Sequence, residues 1–357
     1  MTGVIGFFNS AEAWGGGEKW HYEVSRYLHE NGIDVVVFAH RKSVLLEKLK
    51  KTNVPHIGIS LSNMSILNPY AYAKVYQLLR KFNVASIIIN LSRDLKIAGK
   101  AAKMAGVKRI IYRRGSAIPI ENSLLNRYYF KDILTDVLAN SEATKRTVLQ
   151  NNPFLFPKEK ITVIYNGINV DQLPKTSVEE NGFRLLTLGR LEYQKNHEFL
   201  IRLAAELKQR HLNFQMIIGG EGRLRGALEK LSNELGVQDV VRFAGFIETP
   251  LEFINTADIF LLPSYWEGFG YVLAEASLCQ KPIIAFNLSS NPELVIEGET
   301  GFLVPENDID QFADRVMELY QDKEKRTAFG KNGFHHIVQN FDEQKQLRKL
   351  QDYLVNE

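Results

Sequence analysis

The chain of 357 residues contains one cysteine, Cys279. A single thiol excludes an intramolecular disulfide and any cysteine-based metal cage, and it fits a reducing compartment. Its expected place is the core. Long hydrophobic runs are also missing. The longest, around Ser86 to Leu91 and Asp258 to Leu262, are strand-sized and far short of the ~18–20 apolar residues of a membrane-spanning helix. No basic flank with a long apolar stretch and a small-residue cleavage site opens the chain, so no signal peptide is expected. Low-complexity tracts and short-period repeats are absent. Together these absences leave a cytoplasmic protein, with a peripheral place at an inner membrane face still open.

What is present is globular in balance, with 45% hydrophobic and 24% charged residues, and long enough for two domains. The net charge of +3 hides an asymmetry. Residues 1–180 carry +10 and residues 181–357 carry −7. A basic first half suits an anionic partner: a phosphorylated or lipid-linked acceptor, an anionic membrane surface, or nucleic acid. Basic clusters lie at His40-Arg41-Lys42, Lys48 to Lys51 and Lys96 to Arg114. Ordinary surface variation is the plain alternative.

Short apolar runs alternate with amphipathic stretches, twice over. Expected strands are Val4–Phe8, Asp34–Ala39, His56–Ile59, Ser86–Leu91, Arg109–Tyr112, Val137–Ala139 and Ile161–Tyr165, then Arg184–Leu188, Phe214–Ile218, Val241–Phe243, Ile259–Leu262, Pro282–Phe286 and Gly301–Val304. Strands separated by helices imply parallel sheets covered on both faces. The expected class is α/β, with two Rossmann-like domains facing across a cleft. The boundaries read as 1–175 for an acceptor-side domain and 183–335 for a nucleotide-sugar domain, with a polar linker from Asp171 to Gly182. A C-terminal helix, 336–357, is expected to return to the first domain.

Four motifs fall at strand ends, where open parallel sheets bind ligands. Gly15-Gly16-Gly17 precedes a helix expected from about Glu18. Its amides suit an anion, or it is a flexible loop. It lacks the spread glycines of the dinucleotide fingerprint, which disfavours hydride transfer. Arg190 and Lys195 follow the first strand of the second half and either converge on a diphosphate or are two solvated cations. Asn196 is placed to cap the next helix. Gly219-Gly220-Glu221-Gly222 is a strand-end turn with or without ligand contact. The fourth, Glu267-Gly268-Phe269-Gly270 through Glu275, opens a helix with glycine amides. Its two carboxylates sit about a turn and a half apart along the axis, an offset that suits a phosphate at the tip and sugar hydroxyls beyond it. The structural alternative has Glu267 near the helix dipole and Glu275 on an exposed face. Asp308-Ile309-Asp310 reads as helix capping after Pro305, not as a metal site.

The Glu-x7-Glu spacing around Gly-Phe-Gly resembles the retaining glycosyltransferases of family 4, which have the GT-B fold. The resemblance spans nearly the whole chain. It includes Gly16-Gly17-Glu18, Ala139-Asn140-Ser141, Val163 to Ile168, Gly189-Arg190 with Lys195, Gly220-Glu221-Gly222 and Phe243-Ala244-Gly245. The resemblance implies transfer of a sugar from a nucleotide-diphosphate donor, most simply a UDP-sugar, to a glycan or lipid-linked acceptor in cell-surface polysaccharide or lipopolysaccharide synthesis, with retention; the residues themselves call for no metal or other cofactor. It implies that Arg190 and Lys195 hold the diphosphate and that Glu275 takes the ribose. Glu267 with Gly268, Phe269 and Gly270 binds the transferred sugar, beside Gly16 and Gly17. Gly220, Phe243, Gly245 and Phe246 line the base. One departure stands out. Many members have histidine where this chain has Arg113-Arg114, which become candidates for the leaving phosphate or an anionic acceptor. An epimerase, a glycogen-synthase-like enzyme and a non-catalytic anion- or nucleic-acid-binding module remain as alternatives, although basic and aromatic residues do not interleave as single-strand binders require.

Overall fold

The computed structural model describes residues 3–61, 63–174 and 182–355. Most of the polar stretch expected as a linker, 171–182, lies outside the described residues. The chain divides into two compact units, residues 1–166 with 346–357, and residues 167–345.

The first unit is built on a seven-stranded parallel sheet. Its strands are β1 (Val4–Asn9), β2 (Val35–His40), β3 (His56–Ile59), β4 (Val84–Ile89), β5 (Arg109–Arg114), β6 (Asp136–Ala139) and β7 (Ile161–Val163), in spatial order β3-β2-β1-β4-β5-β6-β7. Period-2 alternation sends side chains of one strand into two different cores. Ile5 and Phe7 of β1 join Ile88 of β4 on one face, while Phe8 joins Ile87 and Ile89 on the other. Both faces are covered, which is why these strands read as continuous apolar runs.

The last helix, Glu343–Val355, enters the first unit from Gln346. Its Leu347, Leu350, Tyr353 and Leu354 complete the core shared with Phe7 and Trp20. Arg109 locks it. Its Nη1 donates to the Tyr353 carbonyl at 2.8 Å, and its guanidinium lies 4.7 Å over the Tyr353 ring. The return therefore starts ten residues later than the sequence suggested. The preceding helix, Lys323–Asn340, belongs to the second unit. A Cβ at Gly330 would sit 1.9 Å from the Gln280 carbonyl oxygen, so glycine there permits close packing beside the Tyr271–Leu278 helix.

The second unit carries a six-stranded parallel sheet: β8 (Arg184–Leu188), β9 (Gln215–Gly219), β10 (Val241–Gly245), β11 (Ile259–Leu262), β12 (Ile283–Phe286) and β13 (Gly301–Val304), in order β10-β9-β8-β11-β12-β13. Leu185, Ile218, Leu261 and Phe286 pack on one face against Phe199, Leu203 and Phe312 from the His197–Gln209 and Ile309–Gln321 helices. Cys279 is buried, its Sγ 3.4 Å from the Leu251 carbonyl. Among the described residues no helix is long and apolar enough to cross a membrane.

Candidate active site

Each sheet has one place where successive strands part company. In the second unit the chain runs outward from β8 to β9 and β10, then returns to the other side of β8 for β11 to β13. The loops leaving β8 and β11 flank this switch point, the place where open α/β sheets bind ligands.

The β8 loop carries Lys195 and the β11 loop carries Glu267. Lys195 Nζ lies 2.5 Å from Glu267 Oε1, with the two side chains only 14% and 9% exposed. The loops are tied beside this pair as well. Gln194 Nε2 donates to the Trp266 carbonyl at 2.6 Å, the Tyr265 N–H donates to the Gln194 carbonyl at 2.9 Å, and the Tyr193 and Tyr265 rings stack at 5.0 Å. From the far side, the loop after β12 holds the Glu267 backbone. The Glu267 N–H donates to Ser289 Oγ at 3.1 Å, and that hydroxyl donates to the Glu267 carbonyl at 2.6 Å. Ser290 Oγ, fully buried, reaches the Glu267 and Phe269 carbonyls at 3.3 and 3.1 Å.

Gly189 admits the Lys195 stem, which would lie 3.1 Å from a Cβ at that position. Arg190 is exposed and, among the described residues, makes no ion pair. Arg190 and Lys195 thus differ: one is open to an arriving anion, the other is already neutralised by Glu267. Asn196 takes the N-cap position at φ 50, but its side chain does not cap; it donates to Asn307 Oδ1 at 3.4 Å. His197 follows, buried, with its pKa lowered to about 4 by desolvation first and Lys195 second.

Gly270 caps the Tyr271–Leu278 helix in the left-handed region at φ 89, and Glu275 is half-buried within that helix. At the β8–β9–β10 ends the turns interlock through backbone. A Cβ on Gly220 would lie 1.9 Å from the Gly189 oxygen, and the Gly220 N–H is donated to the Gly245 carbonyl at 2.7 Å. Gly220 therefore serves close approach of two loops, and its amide is already spent. Phe243 is half-buried under Arg225, whose guanidinium lies 4.9 Å from its ring, and Phe246 is exposed. Asp308 caps the Ile309–Gln321 helix by accepting from the Gln311 N–H at 3.0 Å, and Asp310 faces Arg210 at 3.4 Å.

The first unit has its own switch point, between β1 and β4. Gly16 and Gly17 lie inside the first turn of the Gly16–Glu30 helix, two residues earlier than expected. A Cβ on Gly17 would meet Asn90 Nδ2 at 2.4 Å, so the glycine lets the helix start press on the β4 end. Glu18 accepts from Asn9 Nδ2 at 2.9 Å. Arg113 is 2% exposed. Its guanidinium donates to Asn90 Oδ1 and Asn166 Oδ1, each at 2.9 Å, and lies 4.2 Å over the Trp20 ring. Arg114 is half-buried and holds the loop after β5 through the Ser116 and Ile118 carbonyls. Of the basic cluster Lys96 to Arg114, then, Arg109 and Arg113 point into the protein and offer nothing to a surface.

Sequence reading missed several polar groups here. Asp94, fully buried, accepts from the Ser10 N–H and hydroxyl, and Arg93 Nε reaches Ser10 Oγ at 2.9 Å. Burial pushes the Asp94 pKa up to about 6 against the pull of Ser10 and Arg93. His21 Nδ1 meets the Gly17 carbonyl at 3.0 Å, and burial followed by Arg113 lowers its pKa to about 3. Position at a strand end was the only available signal for Ser10 and for Ser289.

Known proteins bear on this geometry. The family model described as Glycosyl transferases group 1 matches residues 170–336, and that described as Glycosyltransferase Family 4 matches residues 14–172. The chain is 26% identical over 300 residues, 80% of each chain, to an N-acetylgalactosamine-N,N'-diacetylbacillosaminyl-diphospho-undecaprenol 4-alpha-N-acetylgalactosaminyltransferase of Campylobacter jejuni. It is 25% identical, over 82% of this chain and 81% of the relative, to a GDP-mannose-dependent alpha-(1-6)-phosphatidylinositol monomannoside mannosyltransferase of Mycobacterium tuberculosis. Its fold matches that of Anabaena Alr3699/HepE, solved in complex with UDP and glucose, with a TM-score of 0.86 at 21% identity over 99% of this chain and 100% of the other. With the two family models meeting near residue 170 and each covering one Rossmann-like unit, the chain belongs to the glycosyltransferases of the GT-B architecture.

Proposed function

We propose that the protein transfers a sugar from a UDP-sugar to a glycan or lipid-linked acceptor in cell-surface polysaccharide synthesis, with retention of configuration. The observation that carries this reading is the Lys195–Glu267 pair at the β8/β11 switch point, with exposed Arg190 on the β8 loop next to the base-side turns that follow β9 and β10.

In this reading the donor diphosphate enters beside Arg190 and Lys195. Both cations offset the charge that builds on the departing nucleotide diphosphate, which is where fixed electrostatics contribute most. As Lys195 turns to the phosphates, the Glu267 carboxylate becomes available to the hydroxyls of the transferred sugar. Glu275, deeper in the same helix, accepts from the ribose. Glu267 is not assigned a double displacement; two carboxylates flanking the scissile bond are the hydrolase arrangement. No metal is invoked, because Asp308 and Asp310 are occupied with capping and with Arg210.

UDP in the fold neighbour favours UDP here, and the GDP-mannose relative keeps GDP as the alternative donor base. The α linkages in both relatives' names fit retention from an α-configured donor. A lipid-diphosphate acceptor, as in the Campylobacter jejuni relative's name, suits the basic first half. Association with an anionic membrane surface belongs to the same proposal. Leu124 and Leu125 are exposed on a short helix that also presents Arg127.

The test is nucleotide release from a panel of UDP-, GDP- and ADP-sugars with a lipid-diphosphate acceptor, in EDTA. Release without free epimerised sugar is expected. No release from any donor overturns the proposal, and free epimerised sugar favours an epimerase.

A further inference from the structure

Among the described residues, six non-glycine positions have positive φ: Asn83, Asn196, His211, Gln280, Ser289 and Asn307. Asn83, His211 and Gln280 lie just past the ends of the Pro69–Lys81, His197–Gln209 and Tyr271–Leu278 helices, where a left-handed residue is the ordinary way to stop a helix. The other three follow strands and gather at the donor-side crevice. Asn196 adjoins Lys195 and donates to Asn307. Asparagine tolerates this backbone region because its short side chain bonds locally. Serine has less claim to it, and Ser289 at φ 54 is the outlier. Such outliers persist where the surroundings over-determine them, and they cluster at functional sites.

The surroundings of Ser289 are specific. Its hydroxyl both accepts from the Glu267 N–H and donates to the Glu267 carbonyl, at 3.1 and 2.6 Å. That reciprocal pair fixes the peptide planes on both sides of Glu267, the residue whose carboxylate faces Lys195. An extended backbone at position 289 would redirect the Cα–Cβ bond and break both contacts. The left-handed conformation thus aims one hydroxyl at one backbone unit, 22 residues away in sequence. Ser290 reinforces the hold through the Glu267 and Phe269 carbonyls.

We infer that Ser289 is a positioning residue for Glu267, acting in the transfer step through the loop backbone and not by touching the nucleotide. This rests on the glycosyl-transfer reading above. A helix-entry carboxylate held to within a fraction of an ångström aligns a bound sugar, and small misplacement costs rate more than binding.

Two substitutions separate the hydroxyl from the backbone conformation. Ser289→Gly removes the hydroxyl and accepts φ 54 freely. Ser289→Ala removes the hydroxyl and keeps the backbone cost. Both are measured for kcat and KM of nucleotide release from UDP-glucose, UDP-galactose, UDP-N-acetylglucosamine and GDP-mannose. UDP affinity, melting temperature and amide exchange at Glu267 are measured alongside. The expected result is kcat lowered about tenfold in both variants, with KM and UDP affinity within about threefold of the parent. Glu267 amide exchange is faster in both, and Ser289→Gly melts no lower than Ser289→Ala. Full kcat in Ser289→Gly overturns the inference alone, since the hydroxyl would then be idle. Equal loss of UDP affinity and of kcat also overturns it, because the role would then be general loop integrity. No release by the parent from any donor overturns the transfer reading and this inference together.

Discussion

Lys195 and Glu267 are 72 positions apart, yet Nζ and Oε1 meet at 2.5 Å in a setting almost closed to solvent. Each residue comes from a different strand-end loop, so the contact is a direct consequence of β8 and β11 being neighbours. In the proposed reading Lys195 has two partners in turn, Glu267 before the donor binds and phosphate after.

Removing one member of such a pair leaves the other charge buried, which typically costs about 3–5 kcal/mol, whereas replacing both by apolar groups costs far less. Lys195→Ala should therefore lower unfolding stability by about that amount. Lys195→Met with Glu267→Leu should recover most of it while remaining inactive. Urea denaturation checks this. A loss below about 1 kcal/mol in the single variant would mean the pair is solvated in the protein.

Stability should fall in mild acid. His21 and His197 have folded pKa values lowered to about 3 and about 4 by burial, so unfolded chains take up protons that folded ones refuse. Their contribution is fully present above pH ~6.5 and is lost as pH falls toward these folded values. Asp94, raised to about 6, runs the other way. The folded state binds its proton more readily, so its contribution declines as pH rises from ~4 through 6. Two histidines against one carboxylate give a net loss on acidification from pH 7 to 5. Urea midpoints measured across that range should fall, and His197→Gln should flatten the slope. A rising midpoint contradicts the assignment.

The last helix should be needed for the first unit. Leu350 is 2% exposed and Leu354 fully buried in a core with Phe7 and Trp20. Leu350→Ala should cost about 2–5 kcal/mol, read as a lower denaturant midpoint. A change within 0.5 kcal/mol would show the helix to be dispensable.

Binding to vesicles should require anionic lipid and weaken with salt, since screening shortens the reach of surface charge. Leu124→Ser with Leu125→Ser should reduce sedimentation with anionic vesicles. Equal binding to neutral and anionic vesicles contradicts the electrostatic part.

The strands were legible because fully buried strands announce themselves as short apolar runs between glycines and helices. Val4–Phe8 and Ile259–Leu262 were placed within one residue of β1 and β11. Gly270 was legible as a helix start because glycine precedes a helix-length apolar run; Lys195 and Glu267 were singled out through the family resemblance, and their mutual contact was not foreseen. Burial was not legible. Arg113 reads as a surface cation until Asn90, Asn166 and Trp20, drawn from three other segments, close around it. The Ser289 hold on Glu267 was invisible for the same reason: it depends on β12 lying beside β11 and on a backbone conformation that no local pattern in the chain calls for.

The central claim is that the donor lies along the Tyr271–Leu278 helix, sugar at its entrance and ribose further in. Calorimetric titration of UDP into Glu267→Ala and Glu275→Ala, beside transfer kinetics, tests it most directly. Glu275→Ala should weaken UDP by roughly tenfold to a hundredfold, the cost of about 1.5–3 kcal/mol for a lost charge-assisted hydrogen bond. Glu267→Ala should bind UDP at least as tightly as the parent, because Lys195 is then free for phosphate, while turnover drops sharply. If Glu267→Ala abolishes UDP binding and Glu275→Ala spares it, the donor does not lie along this helix in the proposed direction.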